Sequence, residues 1–209
     1  MSTDDLIGHV ERLRAAPLDR WPTRDRILYE AGRLMAAKGY HGASTRDIST
    51  AVGIRQPSLF SHFPSKRDML VELMRYEMSV PTDKARQIAA EATPAADRLL
   101  RYMQWDFDWY ARMPLDLRGI KEELLDEPGL ERFKGELAAW KRAIERIVRD
   151  GIHAGEFHDA SPAVVSTMMS SISWEIVRTS GLGRSRSASS TLRLGAAEFI
   201  LRGLLVDRG

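Results

Sequence analysis

Apolar side chains recur three and four positions apart from one end of the chain to the other, and nowhere is the alternation of a half-buried strand sustained. The pattern predicts an all-α fold. Leu6, Val10 and Leu13 give a short amphipathic helix, and the stretch from Pro17 to Pro22 breaks the chain after it. Thr23 is placed to cap a helix that buries Ile27, Ala31, Leu34 and Met35 and stops at Gly39. Ser44 and Asp47 have capping-box spacing ahead of a short helix whose apolar side is Ile48 and Val52. Gly53 ends it, and Gln56 to His62 form a second short helix, so the pair joined at Gly53 and Ile54 meets the requirement of a helix-turn-helix. Ser65 then caps a helix carrying Met69, Leu70, Leu73 and Met74.

Farther along, Thr93 with Pro94, Pro114, Pro128 with Gly129, and Ser161 with Pro162 each mark a helix start. Gly181 to Ser190 reads as a flexible loop ahead of a last helix ending near Asp207. The expected organisation is an extension over 1–22, a three-helix domain holding the helix-turn-helix over 23–66, and a larger helical domain over 67–209.

Composition removes several classes of function. Without cysteine there are no disulfides, thiolate zinc sites or thiol sensors. No apolar stretch approaches the roughly eighteen residues of a membrane span, and the acidic opening from Met1 to Asp5 is unlike a signal peptide, so a cytoplasmic protein is expected. No Ser/His/Asp, metal-ligand or phosphate-loop constellation is present, which predicts no catalytic residues, no metal and no cofactor. His153 and His158 flank a turn without helical spacing and read as surface residues. The net charge of +2 is unevenly spread: between Arg20 and Leu70 nine Lys/Arg face four Asp/Glu. A basic N-terminal quarter fits a module that neutralises phosphate.

The helix-turn-helix supplies candidate contacts. Gln56 opens the second short helix, where its amide can pair with adenine N6 and N7 in the major groove. Pro57 loses nothing in a first turn and offers its ring to a thymine methyl. Arg46 can fork onto guanine O6 and N7, and Thr45 and Ser58 can bond phosphate or base edges. His62, Lys66 and the amides that open the Lys66 helix suit phosphate oxygens. Leu59, Phe63, Ile48, Val52 and Tyr40 fall on inward faces.

Taken together, RILYEAGRLMAAKG from Arg26 to Gly39, Tyr40, STRDI from Ser44 to Ile48, Gly53, QPSLFSHF from Gln56 to Phe63, and Ser65 with Lys66 resemble the N-terminal signature of the tetracycline-repressor (TetR) family. The resemblance covers about a quarter of the chain and implies a bacterial transcriptional repressor that is homodimeric and ligand-responsive. Phe60 departs from the tyrosine common there; its ring can stack on a sugar edge but lacks the hydroxyl that reaches phosphate. The Gly155-Glu156-Phe157 turn resembles a helix-ending element of the same family.

In the second domain, Leu99, Tyr102, Met103, Trp109, Tyr110 and Met113 share one broad helical face with Asp106 in its middle. A carboxylate there needs either a structural partner such as an arginine or a place in a cavity wall. The residues alone favour the structural partner; the resemblance brings level with it a ligand pocket formed by these aromatics with Phe133 and Trp140, suited to a largely apolar molecule. On the helix expected over 162–180, Val165, Met168, Met169, Ile172 and Ile176 form one stripe and Trp174 lies opposite. On that over 188–206, Leu192, Phe199 and Val206 line one side, with Gly195 and Gly203, and Leu194, Leu201 and Leu205 the other. Helices apolar on two faces predict a four-helix interface between two copies. The expected function is a small-molecule-released repressor on a palindromic operator; the alternative is a non-sensing architectural or partner-regulated DNA-binding protein.

Overall fold

Ser2 opens the first helix with a complete capping box: its hydroxyl accepts from the Asp5 amide, and the Asp5 carboxylate accepts from the Ser2 amide at 2.9 Å. The computed structural model describes residues 2–120, 122–127, 129–179 and 195–206. Within them the helices are α1 (Thr3–Ala15), α2 (Thr23–Gly42), α3 (Thr45–Val52), α4 (Gln56–His62), α5 (Lys66–Met74), a π-helical turn (Arg75–Ser79), α6 (Val80–Ala89), α7 (Ala95–Ala111), α8 (Glu131–His153) and α9 (Pro162–Thr179). Residues 195–202 are also helical. No strand occurs among the described residues, and none of their helices is long and apolar enough to cross a membrane. The expectations at Pro128, the Gly181 to Ser190 loop, Leu192, Leu194 and Asp207 lie outside the described residues.

The chain divides into two compact units, 1–80 with 113–134, and 81–112 with 135–209. Their outline differs from the expected division at residues 66 and 67: the first unit runs on to Val80 and takes in the 113–134 segment. Pro114 does not open a helix. The segment after it lies flat on α2, where a β-carbon at Gly32 would stand 2.5 Å from the Asp116 carbonyl oxygen and one at Gly119 2.6 Å from the Ala36 nitrogen. Leu115, Leu117 and Ile120 are buried by that approach, which a helix with its wider radius would prevent.

The N-terminal extension belongs to the first unit. Leu6, Val10 and Leu13 of α1 are buried, and His9 Nε2 lies 2.8 Å from Oδ1 of the buried Asp25 on α2. Trp21 donates its indole N–H to the Ala16 carbonyl and meets the Tyr29 ring edge-on. The α2 helix bends at Gly39, whose φ of 74° suits a residue without a β-carbon.

In the second unit, the Gly155-Glu156-Phe157 turn gathers three helix ends. The Glu156 carboxylate accepts from the Ala95 and Ala96 amides at 3.0 and 2.9 Å, capping α7 where it starts after Pro94. Phe157 packs on Gly151 of α8 so closely that a β-carbon there would meet its ring at 2.2 Å. Backbone bonds from His158 to Leu204 and from Val206 to Glu156 pair the turn with the chain following residues 195–202.

The two last helices are patterned differently from the sequence reading. On α9, Val165, Met169 and Ile176 are buried and Ile172 is half-buried, whereas Met168 is exposed together with Val164 and Trp174. Met168 thus leaves the stripe assigned to it, because at 100° per residue it falls nearer Val164 than Val165. Past residue 195 the buried positions are Ala197, Ile200 and Leu204; Phe199, Leu205 and Val206 are exposed, and Leu201 is half-buried. The small Ala197 and the two residues at helical spacing from it form the inward side that periodicity alone had divided otherwise.

Candidate nucleic-acid interface and a buried polar group

Ser44 caps α3 by accepting from the Asp47 amide at 3.0 Å, and Gly53, with φ 77° and ψ 33°, ends it in the left-handed conformation that glycine adopts without strain. Ile48, Val52, Leu59 and Phe63 are buried, which fixes α4 with one face inward. The opposite face is open: Gln56, Pro57, Ser58, Phe60 and His62 on α4 and Arg46 on α3 are exposed, and Thr45 is half-exposed. The sequence-derived set is therefore at the protein surface, apart from the Lys66 ammonium. That ammonium is turned inward, donating to the Tyr40 and Ala43 carbonyls at 2.7 and 2.8 Å and standing 4.4 Å from the centre of the Tyr40 ring. Burial holds its pKa below the usual lysine value.

Two arginines were missed in the sequence. Arg55 is the residue immediately ahead of α4 and is exposed beside Gln56; a cation preceding a reading helix was the available signal. Arg26 donates to the Val52 carbonyl at 2.8 Å, tying α2 to the end of α3. Its backbone target left no trace in the sequence. Lys38 pairs with Asp47 at 2.9 Å and, with the Ser44 hydroxyl, holds that carboxyl below the usual range.

Asp106 is 1% exposed. Its partners are two hydroxyls and not the arginine offered as an example in the sequence reading: Tyr102 donates to Oδ1 at 3.0 Å and Ser173 of α9 to Oδ2 at 2.6 Å. No ion pair reaches it among the described residues. Hydroxyls support a carboxylate without bringing a second charge out of water, which is why they suffice here. Trp140 of α8 donates to the Tyr102 oxygen at 2.5 Å. Each hydroxyl also has a backbone oxygen within reach, Pro81 for Tyr102 and Met169 for Ser173. Burial pushes Asp106 up to about 6 against the lowering effect of Ser173 and then Tyr102, and pushes the Tyr102 phenol well above its usual value. Met103, Trp109 and Tyr110 are buried in the same unit, while Met113 and Phe133 belong to the first. Ser173 was missed because a serine on a mostly apolar helix reads as a small filler. Among the described residues no group of His, Asp and Glu could hold a metal ion.

The signature of bacterial regulatory proteins of the tetR family matches residues 27–73, from the middle of α2 to the end of α5. Residues 27–73 form a tetR-family domain. The chain is 24% identical over 159 residues to the transcriptional repressor KstR2 of Mycolicibacterium smegmatis, covering 74% of this chain and 78% of the relative. Its fold matches that of KstR2 of Mycobacterium tuberculosis, a ketosteroid transcriptional regulator, with a TM-score of 0.76 at 22% identity over 89% of this chain and 96% of the other. It also matches AibR in complex with isovaleryl coenzyme A and operator DNA, with a TM-score of 0.65 at 17% identity over 85% and 97%. The tetR-family domain makes it a DNA-binding transcriptional regulator.

Proposed function

We propose that this regulator is a repressor that binds a palindromic operator as a homodimer, placing one α4 helix in each of two successive major grooves. The carrying observation is the exposure, on and just ahead of α4 and on α3, of Gln56, Pro57, Ser58, Phe60, His62, Arg55 and Arg46, with Thr45 half-exposed. Gln56 and Arg46 read bases; Thr45, Ser58, Phe60 and His62 position the helix on the backbone. The second copy docks through α9 and the 195–206 stretch, a reading supported by exposed Val164, Met168, Trp174 and Phe199.

The effector is a small, largely apolar molecule received among Tyr102, Met103, Asp106, Trp109, Tyr110 and Trp140. AibR, of similar fold, is found in complex with isovaleryl coenzyme A, which supports an effector for this regulator as well. Met113 and Phe133, in the first unit, carry no part of this proposal. Occupancy would shift the helical run from Lys66 to Ala89, which passes from one unit into the other and contains a π-turn, a common place for helices to yield. Coupling of about 1–3 kcal/mol is enough to release operator. The satisfied hydroxyl partners of Asp106 favour the second reading, a regulator without an effector.

Selection of duplexes from a random pool tests the first half: the expected product is an inverted repeat with half-sites about one helical turn apart. Recovery of no common sequence would overturn it. A screen for small molecules that release the selected duplex tests the second. Release from wild type but not from a Trp109→Ala, Trp140→Ala variant supports the effector site, and equal release from both refutes it.

A further inference from the structure

Backbone oxygens at the C-terminal end of a helix lack donors from their own helix. At the end of α2 two of them, on Tyr40 and on the buried Ala43, take the Lys66 ammonium. Ala43 immediately precedes Ser44, the cap of α3, and Lys66 is the first residue of α5, shortly after α4 ends. One side chain thus joins the two ends of the segment that holds the whole helix-turn-helix. Arg26 fastens the middle of the same segment to α2 through the Val52 carbonyl. An ammonium has three N–H groups, and two are spent on these carbonyls. To offer a phosphate more than its one remaining N–H it would have to give up one of these carbonyls, of which that of Ala43 belongs to a buried residue.

We propose that Lys66 is a positioning residue of the helix-turn-helix, acting by closing the segment from Ser44 to Ser65 and not by bonding phosphate. A phosphate ligand adds affinity for any DNA and one counterion's worth of salt dependence. A closing residue sets the angle and register of α4, so it acts on the preference for the correct sequence. The inference rests on α4 being the reading helix, and Gln56→Ala, run alongside, tests that separately: it changes base preference whichever role Lys66 has.

The experiment uses the full-length protein, a duplex selected by the wild type, and a scrambled duplex of equal length. Lys66→Met keeps the stem and removes the ammonium. The expected result is a loss of about tenfold or more on the selected duplex, with less than about twofold on the scrambled one. The slope of log affinity against log salt stays as in the wild type. Equal losses on both duplexes with a slope shallower by about 0.9 would make Lys66 a phosphate ligand and overturn the proposal. So would unchanged binding to both. A second measurement needs no variant: reductive methylation of the wild-type protein, with the exposed Lys141 as internal reference. Lys66 should label several-fold more slowly than Lys141 in the free protein, and DNA should add no further protection. Labelling at the rate of Lys141, suppressed by the selected duplex, refutes the closure.

Discussion

The Asp106 carboxyl is held at about 6 by burial, so the folded protein binds its proton more tightly than the unfolded chain does. The sign follows: stability from this group is fully present below about pH 4, declines as pH rises, and is lost above about 6. Ionisation there costs about 3 kcal/mol at neutral pH. Asp106→Asn removes the titration while Tyr102 and Ser173 keep their backbone acceptors. Melting curves at pH 5 and 7.5 should show the variant gaining on the wild type as pH rises; parallel behaviour would put the titration elsewhere. At the interface, Arg46→Ala should cost about 1–3 kcal/mol concentrated on one base pair, and Gln56→Ala should relax a different one. A uniform loss across sequences would instead make both of them phosphate contacts. These side chains were legible because a surface helix with Leu59 fixed inward leaves few ways for Gln56 and Ser58 to point. Lys66 was legible as important but not as inward, since carbonyl acceptors carry no residue identity. Ser173 was hidden for a related reason: its partner lies 67 residues away.

At the scale of helices, periodicity gave starts and stops wherever local chemistry decides them, as at Ser44, Gly53 and Ser65. It failed where a close backbone approach decides, as after Pro114, because two glycines distant in sequence create the contact. Pro81 illustrates a third case. The helical run continues through it, with the Val80 amide bonding Arg75 one residue beyond the α pattern, slack that accommodates a residue without an N–H. The approach on α2 has a measurable cost: Gly32→Ala should lose about 2 kcal/mol. In a chain of this length that lowers Tm by roughly 4–8 °C. Gly135→Ala on α8, where nothing lies within 4 Å of the added carbon, should gain about 0.5–1 kcal/mol instead. Equal effects at the two glycines would rule out the packing explanation.

For the whole molecule, the exposed side chains of the second unit carry the assembly proposal. Phe199 is 74% exposed and Val164 56%, values that leave large apolar surface in water unless a second copy covers it. Phe199→Asp combined with Met168→Asp should convert a dimer to a monomer in sedimentation and weaken operator binding while leaving helical content intact. A monomeric wild type would refute the proposed interface. The second unit also has a fastening of its own. The Gly155-Glu156-Phe157 turn joins the start of α7, the end of α8 and the chain beyond residue 202, reaching 60 and 61 residues back along the sequence through two carboxylate oxygens. In a chain with no cysteine, these bonds close the kind of long loop that secreted proteins close with a disulfide. They need no oxidant to form, and they can part and re-form each time the protein folds.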